Sequence, residues 1–404
     1  MVKLPIYLDN NSTTPMDPRV LDAMMPYFTQ NFGNAASRNH PFGWKAEEAV
    51  DYAREQIAQL IGANEKEIIF TSGATESNNL AIKGVLEMYA RKGNHIITIN
   101  TEHKAVLDAC KHAEKMGAEL TYLGVEENGL LDLQKLQEAI KQNTVLISVM
   151  WANNEIGVIQ PVQEISRMAK ERGVLFHTDA TQAVGKIPVN VIEDGIDLMS
   201  FTAHKMYGPK GIGALYVRRK NPRVKVSAQI DGGGHERGMR SGTLNVTGIV
   251  GFGAACKLCR EEMNEESKRL AKLRDKLENA LLALEESYVN GSKENRLPHC
   301  TNVSFKFVEG EGLMMAMHNL AVSSGSACTS ASLEPSYVLK NLGLDDELAH
   351  SSIRFGLGRY TSEAEIDYAI EHVTQAVNKL RDMSPLWEMH KEGIDLQKVD
   401  WQEH

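Results

Sequence analysis

Three segments carry residue types whose spacing suits chemistry on a bound small molecule. In DLMSFTAHKMYGPKGIGALYVRR (197–219), Lys205 follows an apolar strand pattern and precedes a Gly-rich turn and a second strand. A lysine at a strand end is placed to lose its charge and act as a nucleophile, although an unselected lysine more often runs its ammonium out to water. In VLFHTDATQAVGK (174–186), Asp179 closes another apolar strand, where a carboxylate is costly without a partner. A protonated ring nitrogen would be such a partner; a helix N-cap with Gln182 in the first turn is the plainer alternative. In EIIFTSGATESNN (67–79), an apolar strand runs through small and hydroxyl residues into a helix. Backbone N–H groups at such a start, with Thr71, Ser72 and Thr75, can hold an anion, and a simple capped helix is the competing reading. The segment matches neither GxxxxGK[ST] nor GxGxxG, so a nucleotide is not indicated.

Three further residues could complete a site. His103 lies between an apolar strand pattern and the helix beginning at Lys104. A lone histidine there is more often a cap; beside the other motifs it reads as catalytic. Six of the fourteen residues from Ser323 to Ser336 are serine, which predicts an exposed, mobile loop around Cys328. Cys110, Cys256, Cys259 and Cys300 instead fit small buried hydrophobes. Cys256 and Cys259 form a CxxC inside a helical pattern with no second pair, so zinc is not indicated. Arg354 is a planar two-pronged donor suited to a carboxylate, or a surface ion-pair partner.

These residues need a frame. From about residue 16 to 260, helical stretches (44–61, 79–91, 104–116, 162–172) alternate with strand-like runs (68–71, 95–99, 144–149, 174–177, 198–201). Such alternation predicts a mainly parallel sheet covered by helices, with ligands in the loops beyond the strands' carboxyl ends. A long charged helix (249–284), two strands (302–305, 352–355) and a last amphipathic helix (363–383) predict a smaller α/β domain. The expected division is 15–260 for the large domain and 1–14 with 261–404 for the small one, which includes the Cys328 loop. The tail 384–404 carries Trp387 and Trp401, readable as a packed strap or as a docking surface with exposed aromatic anchors. The 404 residues suit two domains. A net charge of −9 argues against direct nucleic-acid binding. No signal peptide and no membrane-spanning run is expected. Five cysteines form no disulfide framework and point to a reducing, cytoplasmic setting.

An anion site, a carboxylate for a pyridinium and a Schiff-base lysine are the protein parts that pyridoxal 5'-phosphate needs, and all fall at one end of the expected sheet. Here the chain also resembles a known family. LDNNSTT, TSGATESNN, TEHKAV, NNEIG, HTDATQAVGK, TAHKMYGPKG, GGGHERGMRSGT, SSGSACTS and SSIRFGLGR are similar, nearly end to end, to the class V, fold type I pyridoxal-phosphate enzymes, and among them to the cysteine desulfurases of the NifS/IscS type. The SPLWEMHKEG tail resembles the IscS branch.

The resemblance implies roles residue by residue. Lys205 binds the cofactor covalently, Asp179 pairs with its ring nitrogen, Gln182 contacts the ring hydroxyl and Asn154 lies near ring and substrate. Ala74, Thr75, Thr202 and His204 hold the phosphate. Thr243 reaches the phosphate of a neighbouring subunit, which implies a homodimer. His103 stacks on the ring and moves protons, with the substrate thiol's proton among them. Asn34 and Arg354 receive the carboxylate of L-cysteine. Cys328 accepts the sulfur as a persulfide, and alanine leaves. An iron–sulfur scaffold protein and other sulfur acceptors are the implied partners, with tRNA thiolation a further outlet and Cys328 a transient ligand of a nascent [2Fe–2S] cluster. Ser12 departs from the family pattern, which has alanine, and Thr202 stands where close relatives often have serine. A selenocysteine lyase, an aminotransferase and a non-catalytic assembly scaffold are the rivals. A Ser-rich cysteine loop has no use in an aminotransferase, and a scaffold leaves Lys205, Asp179 and His103 without a purpose.

Overall fold

The apolar runs of the first two-thirds of the chain form one sheet, and the amphipathic stretches cover it. The computed structural model describes residues 2–324 and 334–394. After a two-residue strand β1 (Ile6–Tyr7) come β2 (Ile68–Thr71), β3 (His95–Ile99), β4 (Glu119–Leu123), β5 (Thr144–Ser148), β6 (Leu175–Asp179), β7 (Leu198–Thr202) and β8 (Gly213–Val217). Their order is β2-β8-β7-β6-β5-β3-β4. All pairings are parallel except the two made by β8. The expected mainly parallel sheet is therefore present, and β2, β3, β5, β6 and β7 deliver their carboxyl ends to the same edge. Every residue of β3, β5, β6, β7 and β8 is buried, as strands covered on both faces must be.

Elements with few buried apolar residues escape the sequence pattern, among them two beside the far edge of the sheet. The edge strand β4 is half-exposed and lacks an apolar run, and Leu133–Ala139 is a helix with one buried residue, Leu136. Two helix starts also differ. One begins at Pro41 rather than Trp44, with His40 as cap. The other begins at Ala74 rather than Asn79, because Gly73 supplies the turn that ends β2.

A second, antiparallel sheet follows, formed by β9 (Ser287–Val289), β10 (Cys300–Phe305), β12 (Ser323–Ser324) and β13 (Ser352–Gly356), in the order β12-β13-β10-β9. The strand β11 (Leu320–Ala321) pairs with β1, so the N-terminus joins this later part of the chain. One 37-residue helix, Val246–Leu282, connects the two sheets. Its first half buries Ile249, Phe252, Cys256 and Cys259 in the core of the large sheet. Its second half buries Leu270, Leu273, Leu277 and Leu281 in the core of the small one. The division expected at 260 falls inside this helix.

The helix Pro385–Lys391 opens the tail. Trp387, readable as a strap residue or as an exposed anchor, is half-buried: its ring lies 5.7 Å from that of Phe307 and stacks on His390 at 5.5 Å, with the Arg381 guanidinium 4.7 Å from its centroid. It is a strap residue. Trp401 and Cys328 lie outside the described residues. Among the described residues, no helix is long and apolar enough to cross a membrane.

Candidate active site

A cavity of about 660 Å³ opens at the carboxyl edge of the large sheet. Ten of the residues to which the resemblance assigns a role line it, Ala74, Thr75, His103, Asn154, Asp179, Gln182, Thr202, His204, Lys205 and Arg354, together with Ser72 of the expected anion site. They come from loops after β2, β3, β5, β6 and β7, and from β13 of the other sheet, Arg354 being separated from Asp179 by most of the later chain.

The anion end is built by the helix Ala74–Met88. Its N-cap is Gly73, with φ of 156° and no capping side chain, so the first N–H groups have no partner from their own helix. A Cβ on Gly213 of β8 would come within 2.7 Å of the Gly73 Cα; only glycine lets β8 and this turn approach so closely. Thr202 Oγ donates to the Ile212 carbonyl at 3.0 Å, so its single proton must leave that oxygen before it can serve a phosphate. Burial, followed by the charges of Lys205 and Lys210, holds His204 at a pKa of about 4, and its Nδ1 meets Thr13 Oγ at 3.1 Å.

At the centre, Asp179 is 6% exposed at the end of β6. Asn78 donates to its Oδ2 at 2.6 Å and the Thr181 N–H to its Oδ1 at 3.0 Å. A carboxylate has about four acceptor positions, so room remains for a ring N–H. Lys205 Nζ donates to the carbonyl of Ser12 at 2.5 Å and also to that of Asn11. Gln182 donates to the same Asn11 carbonyl at 2.9 Å.

His103 caps the helix Lys104–Lys115: its Nδ1 accepts from the Ala105 N–H at 3.1 Å. The neutral ring in this arrangement carries its proton on Nε2. Burial lowers its pKa, against the pull of Asp179 and with the help of Lys205. Behind it, Glu102 is fully buried, and burial together with the Asp179 charge raises its pKa well above the usual carboxylate range.

The far wall is Arg354, 4% exposed. Its Nη2 donates to Asp9 Oδ1 at 2.7 Å and Ser12 Oγ at 2.8 Å, and its Nη1 to the Asn154 carbonyl at 3.0 Å. Its Nε is buried without a partner among the described residues, as is Asn78 Oδ1.

Thr71 of the expected anion site turns instead to Ser77 Oγ at 2.7 Å, and two residues to which the resemblance assigns a role do not line the cavity. Asn34 is exposed and its Oδ1 accepts from the Ala36 N–H at 2.9 Å. Thr243 is exposed after the segment that Arg240 ties to Glu76 at 2.8 Å. Neither side chain belongs to the site within one chain. Sequence reasoning missed Asn78, Asn11, Asp9 and the fit of Ser12. Asn78 could have been found once the helix start was placed at Ala74, since it lies one turn on, on the face of Ala74. Among the described residues, no group of three His, Cys, Asp or Glu could hold a metal ion.

Fold and site together define a class that comparison makes definite. Residues 6–369 match the family model "Aminotransferase class-V". The chain is 62% identical, over the full length of both, to "Cysteine desulfurase IscS" of Mannheimia succiniciproducens, and 60% identical, again full length, to the Escherichia coli protein of that name. Among solved structures it is similar to a "NifS-like protein", with a TM-score of 0.87 at 37% identity, covering 93% of this chain and 100% of that one. It is also similar to a NifS-like protein of Rickettsia africae, at 0.83 and 31%, with the same coverage. The chain belongs to the class-V aminotransferase family, in its IscS branch.

Proposed function

We propose that this chain is a cysteine desulfurase that binds pyridoxal 5'-phosphate and converts L-cysteine to L-alanine, leaving the sulfur as a persulfide on Cys328. The observation that carries this reading is the convergence, on one cavity, of Lys205, the half-used carboxylate of Asp179, an uncapped helix start and a buried arginine whose Nε has no partner among the described residues. These residues fit the cofactor: Ala74, Thr75, Thr202 and His204 at the phosphate, Asp179 at the ring nitrogen, Gln182 and Asn154 beside the ring, and Lys205 as the covalent attachment. When bound, pyridoxal phosphate supplies the electron sink that makes the substrate's Cα–H acidic.

The chain's own residues do the rest. Arg354 orients the amino acid by its carboxylate. Lys205 Nζ takes the Cα proton and later returns one to the product. His103 lines the cavity with its Nδ1 on the Ala105 N–H, and taking up a proton at Nδ1 costs it that cap, so proton exchange there loosens the start of the helix. The Cys328 thiolate bonds to the substrate sulfur as the C–S bond breaks. The electron pair stays with the carbon skeleton, which leaves as alanine after protonation, and no external oxidant is needed. The persulfide then passes to an iron–sulfur scaffold protein or other acceptors, including those serving tRNA thiolation, with Cys328 a transient ligand of the [2Fe–2S] cargo. The test is alanine and sulfide release from cysteine. With a thiol reductant both should form continuously and in equal amounts; without reductant or acceptor, alanine formation should stall once Cys328 is charged. Absence of alanine would remove the reading.

A homodimer explains the two residues outside the cavity. Phe28, Phe32, Phe42 and Trp44 are each more than half exposed around Asn34, an apolar face that suits burial against a second copy. Asn34 and Thr243 then complete the partner's site. Thr243→Val is expected to weaken cofactor binding about three- to tenfold, the loss of one hydrogen bond, measured by absorbance titration. A protein that sediments as a monomer with full activity would overturn the shared site. We place the domain division at 15–260 and 1–14 with 261–404, the helix Val246–Leu282 being common to both. The four described cysteines are free and buried, which supports a cytoplasmic location.

A further inference from the structure

The carboxylate end of the cavity contains a hydroxyl, that of Ser12, against Arg354. Arg354 has five N–H donors in a rigid fork. Both protons of Nη2 are committed, to Asp9 Oδ1 at 2.7 Å and Ser12 Oγ at 2.8 Å, and one proton of Nη1 goes to the Asn154 carbonyl at 3.0 Å. Nε is buried and has no partner among the described residues. A carboxylate that binds two-pronged needs adjacent nitrogens, either Nε with Nη2 or Nη1 with Nη2. Both pairs include Nη2, so a bound carboxylate must displace Asp9 or Ser12 there. The Asp9 contact is an ion pair, and that carboxylate is also anchored by Ser323 Oγ at 2.9 Å. The Ser12 contact is charged on one side only, and it is the weaker of the two.

The displaced hydroxyl is not idle. Ser12 Oγ accepts in the contact with Arg354, which leaves its own proton unused there, and Ser12 lines the same cavity. Its backbone is anchored by its own N–H, which donates to the Asp9 carbonyl at 3.0 Å. The hydroxyl therefore stays beside Nη2 when a carboxylate arrives, and its O–H can turn to that carboxylate. We propose that Ser12 is a substrate-binding residue that holds the Arg354 guanidinium in the empty site and donates to the amino-acid carboxylate in the filled one. This rests on the reading of Arg354 as the carboxylate receiver.

The experiment compares Ser12→Ala and Ser12→Thr with the wild-type holoenzyme. In Ser12→Ala, KM for L-cysteine should rise about three- to a hundredfold, the range that spans one hydrogen bond to a neutral group and one to an ion, with kcat within about twofold. Equilibrium binding of L-alanine, followed by the cofactor's absorbance, should weaken by the same factor. Binding of cysteamine, which has no carboxylate, should not change, and Ser12→Thr should restore L-alanine affinity. Unchanged L-alanine affinity in Ser12→Ala, or equal losses for L-alanine and cysteamine, would overturn the proposal. A wild-type protein that binds L-alanine but releases no sulfide from cysteine would instead defeat the desulfurase reading, and the L-alanine comparison would still decide Ser12.

Discussion

Lys205→Ala is expected to lose cysteine turnover by about four orders of magnitude. The side chain stands just past the carboxyl end of β7, within a cavity that also holds Asp179 and His103, and its Nζ is both the covalent anchor and the base for Cα. No neighbour replaces it. Lys210 lines the same cavity, but it lies beyond the turn that starts at Met206, and His204 is already committed at Nδ1. Lys205→Arg should be equally inactive, because a guanidinium stays protonated at any working pH and can act neither as nucleophile nor as base. Both variants should still bind pyridoxal phosphate through the helix start at Ala74, more weakly and in a form that borohydride no longer fixes to the protein. Alanine production within tenfold of wild type, or borohydride fixation on Lys210 in Lys205→Ala, would show that the lysine had been misassigned.

How much of this site could be read in advance depends on how far apart its parts lie along the chain. Lys205, Asp179 and Thr75 were legible because each follows its own apolar strand directly, and a parallel sheet brings such ends together whatever the intervening lengths. Gly73 hid the true start of the next helix. The segment SGATESNN looks like a loop rich in hydroxyls, and the missing cap that makes it an anion site also removes the usual signal of a helix N-terminus. Asn78 was lost with it. Asp9 could not be found at all by local reasoning. Its partner Arg354 is 345 residues away, and the N-terminal segment reaches it through the pairing of β1 with β11 and of Asp9 with Gly356 at the end of β13. Ser12 was visible as a departure from the family pattern, but its contact with Arg354 needs the fold. Trp387 is a different case: an aromatic on a polar background leaves a packed strap and an exposed anchor both open, and only its contacts with Phe307, His390 and Arg381 decide for the strap.

The second large effect separates the two halves of the chemistry. Cysteine binding and Cα deprotonation need Arg354, Lys205 and Asp179; the step that removes sulfur needs a thiolate. Four of the five cysteines cannot supply one. Burial raises the thiol of Cys110 to about 12 and those of Cys259 and Cys300 to about 11, and it raises Cys256 well above the ordinary value. Cys328 remains. It is five residues beyond Ser323, whose hydroxyl donates to Asp9 beside Arg354. Past the other end of its segment, the Tyr337 hydroxyl donates to the Glu102 carbonyl at 2.6 Å, next to His103. Five residues of chain span at most about 17 Å, enough to bring a thiol from Ser323 into a cavity whose wall Asp9 already supports. Cys328→Ser should therefore bind the cofactor and L-cysteine with affinities near wild type and shift the absorbance on mixing. It should then form alanine at least about a thousandfold more slowly, since a serine hydroxyl at neutral pH is a poor acceptor for sulfur. Mass spectrometry after mixing with cysteine should find an added sulfur on wild-type Cys328 and none on the variant. Normal alanine release by Cys328→Ser, or an added sulfur on Cys110, Cys256, Cys259 or Cys300, would mean that the sulfur leaves by another route.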